Sequence, residues 1–201
     1  MNSSDKKKLS EADICGLFIT PALKESGWDP MTQIRQEVAL TPGPIIVRGN
    51  ISARNTKQRK FADYILSHTP GVPVAVIEAK KNTYSISHGM QQALGYAEIL
   101  DLPSVFSSNG DAFASHNRHP DPGEDIETQL PLAAFPSPQT LWQRYQAYRG
   151  LAAAGEQLLL QPYYTDNSGK EPRYYQSEAI NRVQEAIVLG QQRLLLVMAT
   201  G

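Results

Sequence analysis

The sequence predicts an α/β fold, a mixed β-sheet flanked by helices and followed by a helical connector. Three observations predict it. Apolar runs of strand length recur between residues 34 and 115, residues 87–100 switch to a helical period, and Pro/Gly punctuation separates the two patterns. Strands broken by a helix before more strands make an α/β unit.

Ser10, with Asp13 three residues on, reads as a variant capping box opening a helix over 10–26. Ile14, Leu17, Phe18, Ala22 and Leu23 line its apolar side together with Cys15; Pro21 kinks it and Gly27 ends it. Ile34–Leu40, including Glu37, suits a strand, and Ile45–Val47 a second one across Pro42-Gly43-Pro44. A polar basic segment follows, then strand-like runs at 61–66 and 74–80 joined by a connection of hairpin length. Met90, Ala93, Leu94 and Ala97 share a helical face within 87–100. Ser104–Phe106 and Ala112–Ala114 form a strand pair across Asn109-Gly110. Residues 117–138, rich in proline and acids, read as a long surface loop. Ser137-Pro138 caps a helix bearing Leu141, Trp142 and Tyr145, and a last helix covers about 176–189. Leu194–Met198 is continuously apolar, as in a buried parallel strand.

The 201 residues suit one substantial domain with an appendage. A net charge of −1 leaves only local charge to indicate a nucleic-acid partner. The single cysteine excludes an intramolecular disulfide and a Cys-rich zinc site, and a cytoplasmic setting is expected. The polar start has no signal-peptide core, no run is long enough to span a membrane, and the four histidines are too scattered for a transition-metal site.

The chemistry concentrates in Val74–Lys80. Strand alternation sets Val74, Val76, Glu78 and Lys80 on one face, so an acid and a base stand at the end of an apolar strand. Such charges are costly to bury unless they pair or bind a cation. Asp63 interrupts the preceding apolar run, and a hairpin sets it nearly opposite Glu78. Two adjacent carboxylates repel unless a proton or cation is shared. A hard divalent ion such as Mg²⁺ meets that need through Asp63, Glu78 and the Ala79 carbonyl. It would activate water for in-line hydrolysis of a phosphodiester, with Lys80 orienting the water or stabilising the charge. A solvated Glu78–Lys80 pair on an edge strand is the bland alternative.

The next helix carries Gln92-x-x-x-Tyr96 on one face. Asp63, Glu78-Ala79-Lys80 and Gln92-x-x-x-Tyr96, in that order, resemble the PD-(D/E)XK nuclease core of type I restriction R subunits. The resemblance covers roughly residues 10–115 and implies a restriction-endonuclease-like sheet with catalytic Asp63, Glu78 and Lys80. It also implies that Gln92 and Tyr96 support the site or contact DNA. Ala62 departs from the family's proline, which leaves the ligand itself intact. Family members often add a glutamate from the first helix, a role open to Glu11 with Glu37 as rival. Arg48, Arg54, Lys57, Arg59 and Lys60, with no acid among them, form a basic cluster suited to the phosphates of double-stranded DNA. A solvated loop is the alternative.

Gln176, before the last helix, resembles the adenine-reading glutamine of a superfamily-two helicase, and Leu194–Met198 its first strand. Residues 1–120 thus read as a nuclease domain, 121–172 as a connector, and 173–201 as the truncated start of a motor. The resemblance implies ATP use by the full-length protein only, and partnership with methyltransferase and specificity subunits. Competing readings are the nuclease of another repair or defence helicase–nuclease, or a non-catalytic DNA-binding or subunit-docking module. Tyr163, Tyr164, Tyr174 and Tyr175 are expected to pack rather than stack on bases.

Overall fold

The structure, a computed structural model, describes residues 3–40, 45–48, 51–54, 60–152, 155–162 and 172–197. After a short α1 (Ser3–Lys6), a helical run comprises α2 (Glu11–Ile14), a π turn (Cys15–Ile19) and α3 (Thr20–Glu25). Ser10 caps α2 in a full capping box with Asp13. The kink expected at Pro21 takes the form of the widened turn before it, where the Thr20 N–H reaches back to the Cys15 carbonyl. Such a bulge accommodates an interruption of the ordinary helical ladder. Gly27, at φ 91°, then turns the chain out of the helix.

Six strands form one sheet in the order β1 (Ile34–Ala39), β4 (Phe61–Ser67), β5 (Pro73–Ala79), β6 (Ser104–Ser108), β7 (Ala112–Asn117), β8 (Glu127–Pro131). All neighbours are antiparallel except β5 and β6. Parallel neighbours need a crossover, and α4 (Met90–Leu100) supplies it, packing on both strands. The expected mixed sheet flanked by helices is therefore present. Gly110, at φ 84°, makes the β6–β7 turn.

One expectation changes, and two others depend on which neighbours are present. Residues 117–138 are not all loop: β8 extends the sheet by pairing Ala112 through His116 of β7 with Pro131 through Glu127. Its exposed, proline-ended sequence is compatible with an edge position, where one side needs no partner. Ile45–Val47 lies in a strand as expected, β2 (Ile45–Arg48), and its partner is β3 (Ile51–Arg54) within the basic segment. Leu194–Val197 pairs with no described strand and is 44–89% exposed; an apolar run becomes a buried strand only when neighbours complete its ladder. Met198 to Gly201, Lys57, Arg59, Tyr163 and Tyr164 lie outside the described residues.

One apolar core joins the sheet to the helices on either side of it in sequence: Ile14, Leu23, Tyr64, Ile77, Phe106, Phe113, Leu141 and Trp142 are fully buried or nearly so. Helix α5 (Pro138–Arg149) starts at the Ser137 cap and drives Trp142 onto His68, ring on ring at 4.6 Å. The Trp142 indole donates to Glu156 at 2.6 Å, at the head of the short α6 (Glu156–Leu159). Helix α7 (Tyr174–Val188) docks through charges. Asp101, which ends α4, accepts from Tyr148 at 2.5 Å and Arg149 at 2.6 Å, and Arg182 of α7 stands 3.4 Å from it. Glu185 of α7, buried, accepts from Tyr145 and from Arg182, each at 2.5 Å. Among the described residues no helix is long and apolar enough to cross a membrane.

Truncating Trp142 to alanine removes a fully buried ring and its indole bond, and is expected to cost about 3–5 kcal/mol in urea unfolding. A loss below about 1 kcal/mol would mean that this ring does not anchor α5.

Candidate active site

The antiparallel ladder between β4 and β5 runs from Leu66 opposite Ala75 to Tyr64 opposite Ile77. The next cross-strand position brings Asp63 to Glu78. There the side chain of Asp63 replaces the ladder, its Oδ2 accepting the Ala79 backbone N–H at 2.7 Å. Glu78 is 2% exposed near the end of a strand otherwise built from Pro, Val, Ala and Ile. Its Oε1 accepts a hydrogen bond from the Lys80 ammonium, and its Oε2 is buried with no hydrogen-bond partner.

The electrostatics follow from this crowding. Burial, above all, pushes the Glu78 carboxyl up to about 7; the Asp63 charge adds to the rise and Lys80 opposes it. Asp63 is also raised by burial, against the bond from Ala79 and the attraction of Lys80. The charges of the two carboxyls act on each other, so a proton or a cation between them relieves both. Lys80 is held above its ordinary value because its bond and attraction to Glu78 outweigh its own burial.

Helix α4 brings the two other predicted residues to the same place. Gln92 donates to the Tyr96 hydroxyl at 2.5 Å, and Tyr96 is 4% exposed. Burial raises the Tyr96 phenol, and the charges of Glu78, Asp63 and Lys80 all reach it. Asp63, Glu78, Lys80 and Tyr96 thus share one electrostatic neighbourhood, with Gln92 attached through Tyr96. Glu11, in the first turn of α2, is close enough for its charge to act on Asp63 and Lys80. Glu37 lies on edge strand β1 between Gln36, opposite Tyr64, and Val38, opposite Ala62. It is exposed, in the left-handed backbone region at φ 51°. Cys15 packs against the core as expected, its thiol pushed up to about 11 by burial.

Gln176 lies elsewhere, in the first turn of α7, where its side-chain oxygen accepts the Arg173 N–H at 2.8 Å. Of the basic cluster, Arg48 and Arg54 fall on β2 and β3, and Lys60 immediately precedes β4. Three groups at the site escaped sequence reasoning: the Ala79 N–H that holds Asp63, and Gly89 and Ser107, which border Glu78. A backbone amide and a missing side chain leave no letter to read. Gly89 immediately before a helical run is the only trace.

The donor set fits a hard cation better than a soft one. Among the described residues no group of three or more His, Cys, Asp and Glu could hold a metal ion. Two carboxylates, one with an unpartnered buried oxygen, and a nearby carbonyl match an oxygen-seeking ion that keeps part of its water.

No family model matches the chain. It is 51% identical, over 96% of its length, to the type I restriction enzyme EcoAI endonuclease subunit of Escherichia coli. It is 24% identical, over 92%, to the EcoKI endonuclease subunit of Escherichia coli strain K12. The chain spans 24% and 19% of the lengths of these relatives. Among solved structures, a fragment ascribed to an HsdR subunit of a type I restriction enzyme from Vibrio vulnificus YJ016 superposes with a TM-score of 0.78. That match has 38% identity and covers 96% of this chain and 35% of the other.

The raised Glu78 carboxyl ties stability to pH. It binds its proton more tightly folded, at about 7, than at its ordinary 4.5. This contribution to stability is therefore full below 4.5 and is lost as pH rises through about 7. In metal-free buffer, Glu78→Gln is expected to be the more stable protein at about pH 8, by on the order of 1–2 kcal/mol after Lys80 loses its partner. The advantage should vanish near the ordinary carboxylate range. Melting curves with a pH-independent difference would contradict this assignment.

Proposed function

The chain belongs, over the segment it spans, to the family of type I restriction enzyme endonuclease subunits, and on that premise we propose that it is their DNA-cleaving domain. The reaction is metal-dependent hydrolysis of a DNA phosphodiester. The observation that carries this reading is the convergence of Asp63, Glu78 and Lys80 where the β4–β5 ladder ends, with one Glu78 oxygen unpartnered.

In this mechanism Asp63 and Glu78, with the Ala79 carbonyl, hold a hard divalent cation such as Mg²⁺. When bound, the cation supplies Lewis acidity at the scissile phosphate. Lys80, tied to Glu78, is the group that orients the attacking water and offsets negative charge as the phosphorus becomes five-coordinate. Tyr96, bonded to Gln92, supports the site from α4. Arg48, Arg54 and Lys60 precede β4 in the chain and supply positive charge for the duplex backbone. Sequence choice, on this reading, belongs to methyltransferase and specificity subunits. The segment from residue 173 opens an ATP-driven motor in which Gln176 contacts the adenine, and the assembly works in the cytoplasm.

Asp63→Ala, Glu78→Ala and Lys80→Ala, each introduced into the intact complex, should lower DNA cleavage by about 100-fold or more while sparing ATP hydrolysis. Ordinary cleavage by all three variants would end the nuclease assignment. Calorimetric titration with Mn²⁺ should show binding that Asp63→Ala abolishes.

A further inference from the structure

Gly89 precedes α4 with φ −83° and ψ −5°, a backbone conformation open to any residue. Conformational freedom therefore does not require glycine here. Space does require it. A Cβ at position 89 would lie 2.7 Å from Glu78 Cγ, 2.9 Å from Ser107 Oγ and 3.2 Å from Glu78 Cβ. Gly95, in the same helix, offers the contrast: a Cβ there meets nothing within 4 Å.

We propose that Gly89 is a positioning residue for Glu78, the bare backbone that lets the head of α4 close over this side chain and fix where its carboxylate stands. The inference rests on the proposed role of Glu78 as a cation ligand.

The surroundings decide which part would yield to a larger residue. The Gly89 N–H donates to the buried Ser107 hydroxyl at 3.1 Å, which ties the head of α4 to β6. The Gly89 carbonyl accepts from Ala93 at 3.0 Å, and Met90, Ala93 and Ala97 are buried in the core. Strand β6 is in turn paired on both sides, Ser107 standing opposite Glu78 on β5 and Ala114 on β7. Backbone on all sides is thus pinned by hydrogen bonds and packing. The Glu78 side chain is the movable part, held at its tip by Lys80 alone through Oε1. A methyl group at 89 turns that side chain out of its slot and takes the carboxylate away from Asp63.

The test uses the intact subunit with Gly89→Ala, Gly95→Ala, Glu78→Ala and the double variant Glu78→Ala/Gly89→Ala. Mn²⁺ alone is the probe in calorimetry, and metal-free thermal melting is the second readout. Gly89→Ala is expected to weaken Mn²⁺ binding roughly 10–100-fold, as loss of a ligand-orienting contact does, and to raise the Mn²⁺ needed for half-maximal cleavage in step. Gly95→Ala should leave both unchanged. Should Glu78 stay in place, Gly89→Ala must lower the melting temperature, and the same change in the Glu78→Ala background must lower it less, since Cγ, the nearest colliding atom, is gone while Ser107 Oγ and the Cβ of residue 78 remain. Either form of dependence between positions 89 and 78 supports the proposal. Unchanged Mn²⁺ affinity, with a melting shift identical in both backgrounds, overturns it. If Glu78→Ala itself leaves cleavage and Mn²⁺ binding intact, the nuclease reading fails, while the melting dependence between the two positions still reports the packing.

Discussion

Glu78 carries a buried carboxyl near the end of a central strand. A charge taken out of water there is stable only with compensation, and three features supply it. Lys80 donates to one oxygen, the raised carboxyl keeps a proton more readily than a free one, and the slot between β5, β6 and α4 keeps the group from swinging into solvent. The parallel pairing of β5 with β6 is what creates this slot, because the crossover helix must return over the strand ends. A fold with β5 and β6 joined by a tight hairpin would have no helix head to close it.

Much of this fold is readable from the chain because its core elements have clean periods. The hairpin of β4 and β5, helix α4 and the β6–β7 pair all lie within a few residues of their expected positions. Strand β8 was hidden by its proline and acids, which signal loop by composition but suit an edge strand whose outer side faces water. Leu194–Val197 is the opposite case. Its letters describe a strand, but pairing depends on neighbours, and no described strand joins it.

The candidate site divides along a similar line. Charged letters in apolar runs identify Asp63, Glu78 and Lys80, and the four-residue spacing identifies Gln92 with Tyr96, whose side chains do bond. What the letters omit is how those groups are held. Asp63 is fixed by a backbone N–H that belongs to alanine, and Glu78 is bordered by a glycine whose value lies in the atoms it lacks. Glu11 and Glu37 look alike as sequence, yet one sits in a capped first turn and the other in a left-handed edge residue. Only the backbone separates them.

The charged cluster of Asp101, Arg149, Arg182 and Glu185 has a consequence for how such a protein drifts over generations. Each member is partly or wholly buried and paired with at least one other, with Glu178 a further partner of Arg182, so losing one leaves a charge with less compensation. Replacing the whole set with apolar side chains of similar volume can leave stability level or improved. The route between those two states passes through unstable intermediates. Lineages are therefore expected to keep all four or none, and the seam between α7 and the ends of α4 and α5 should diverge in jumps rather than by single steps.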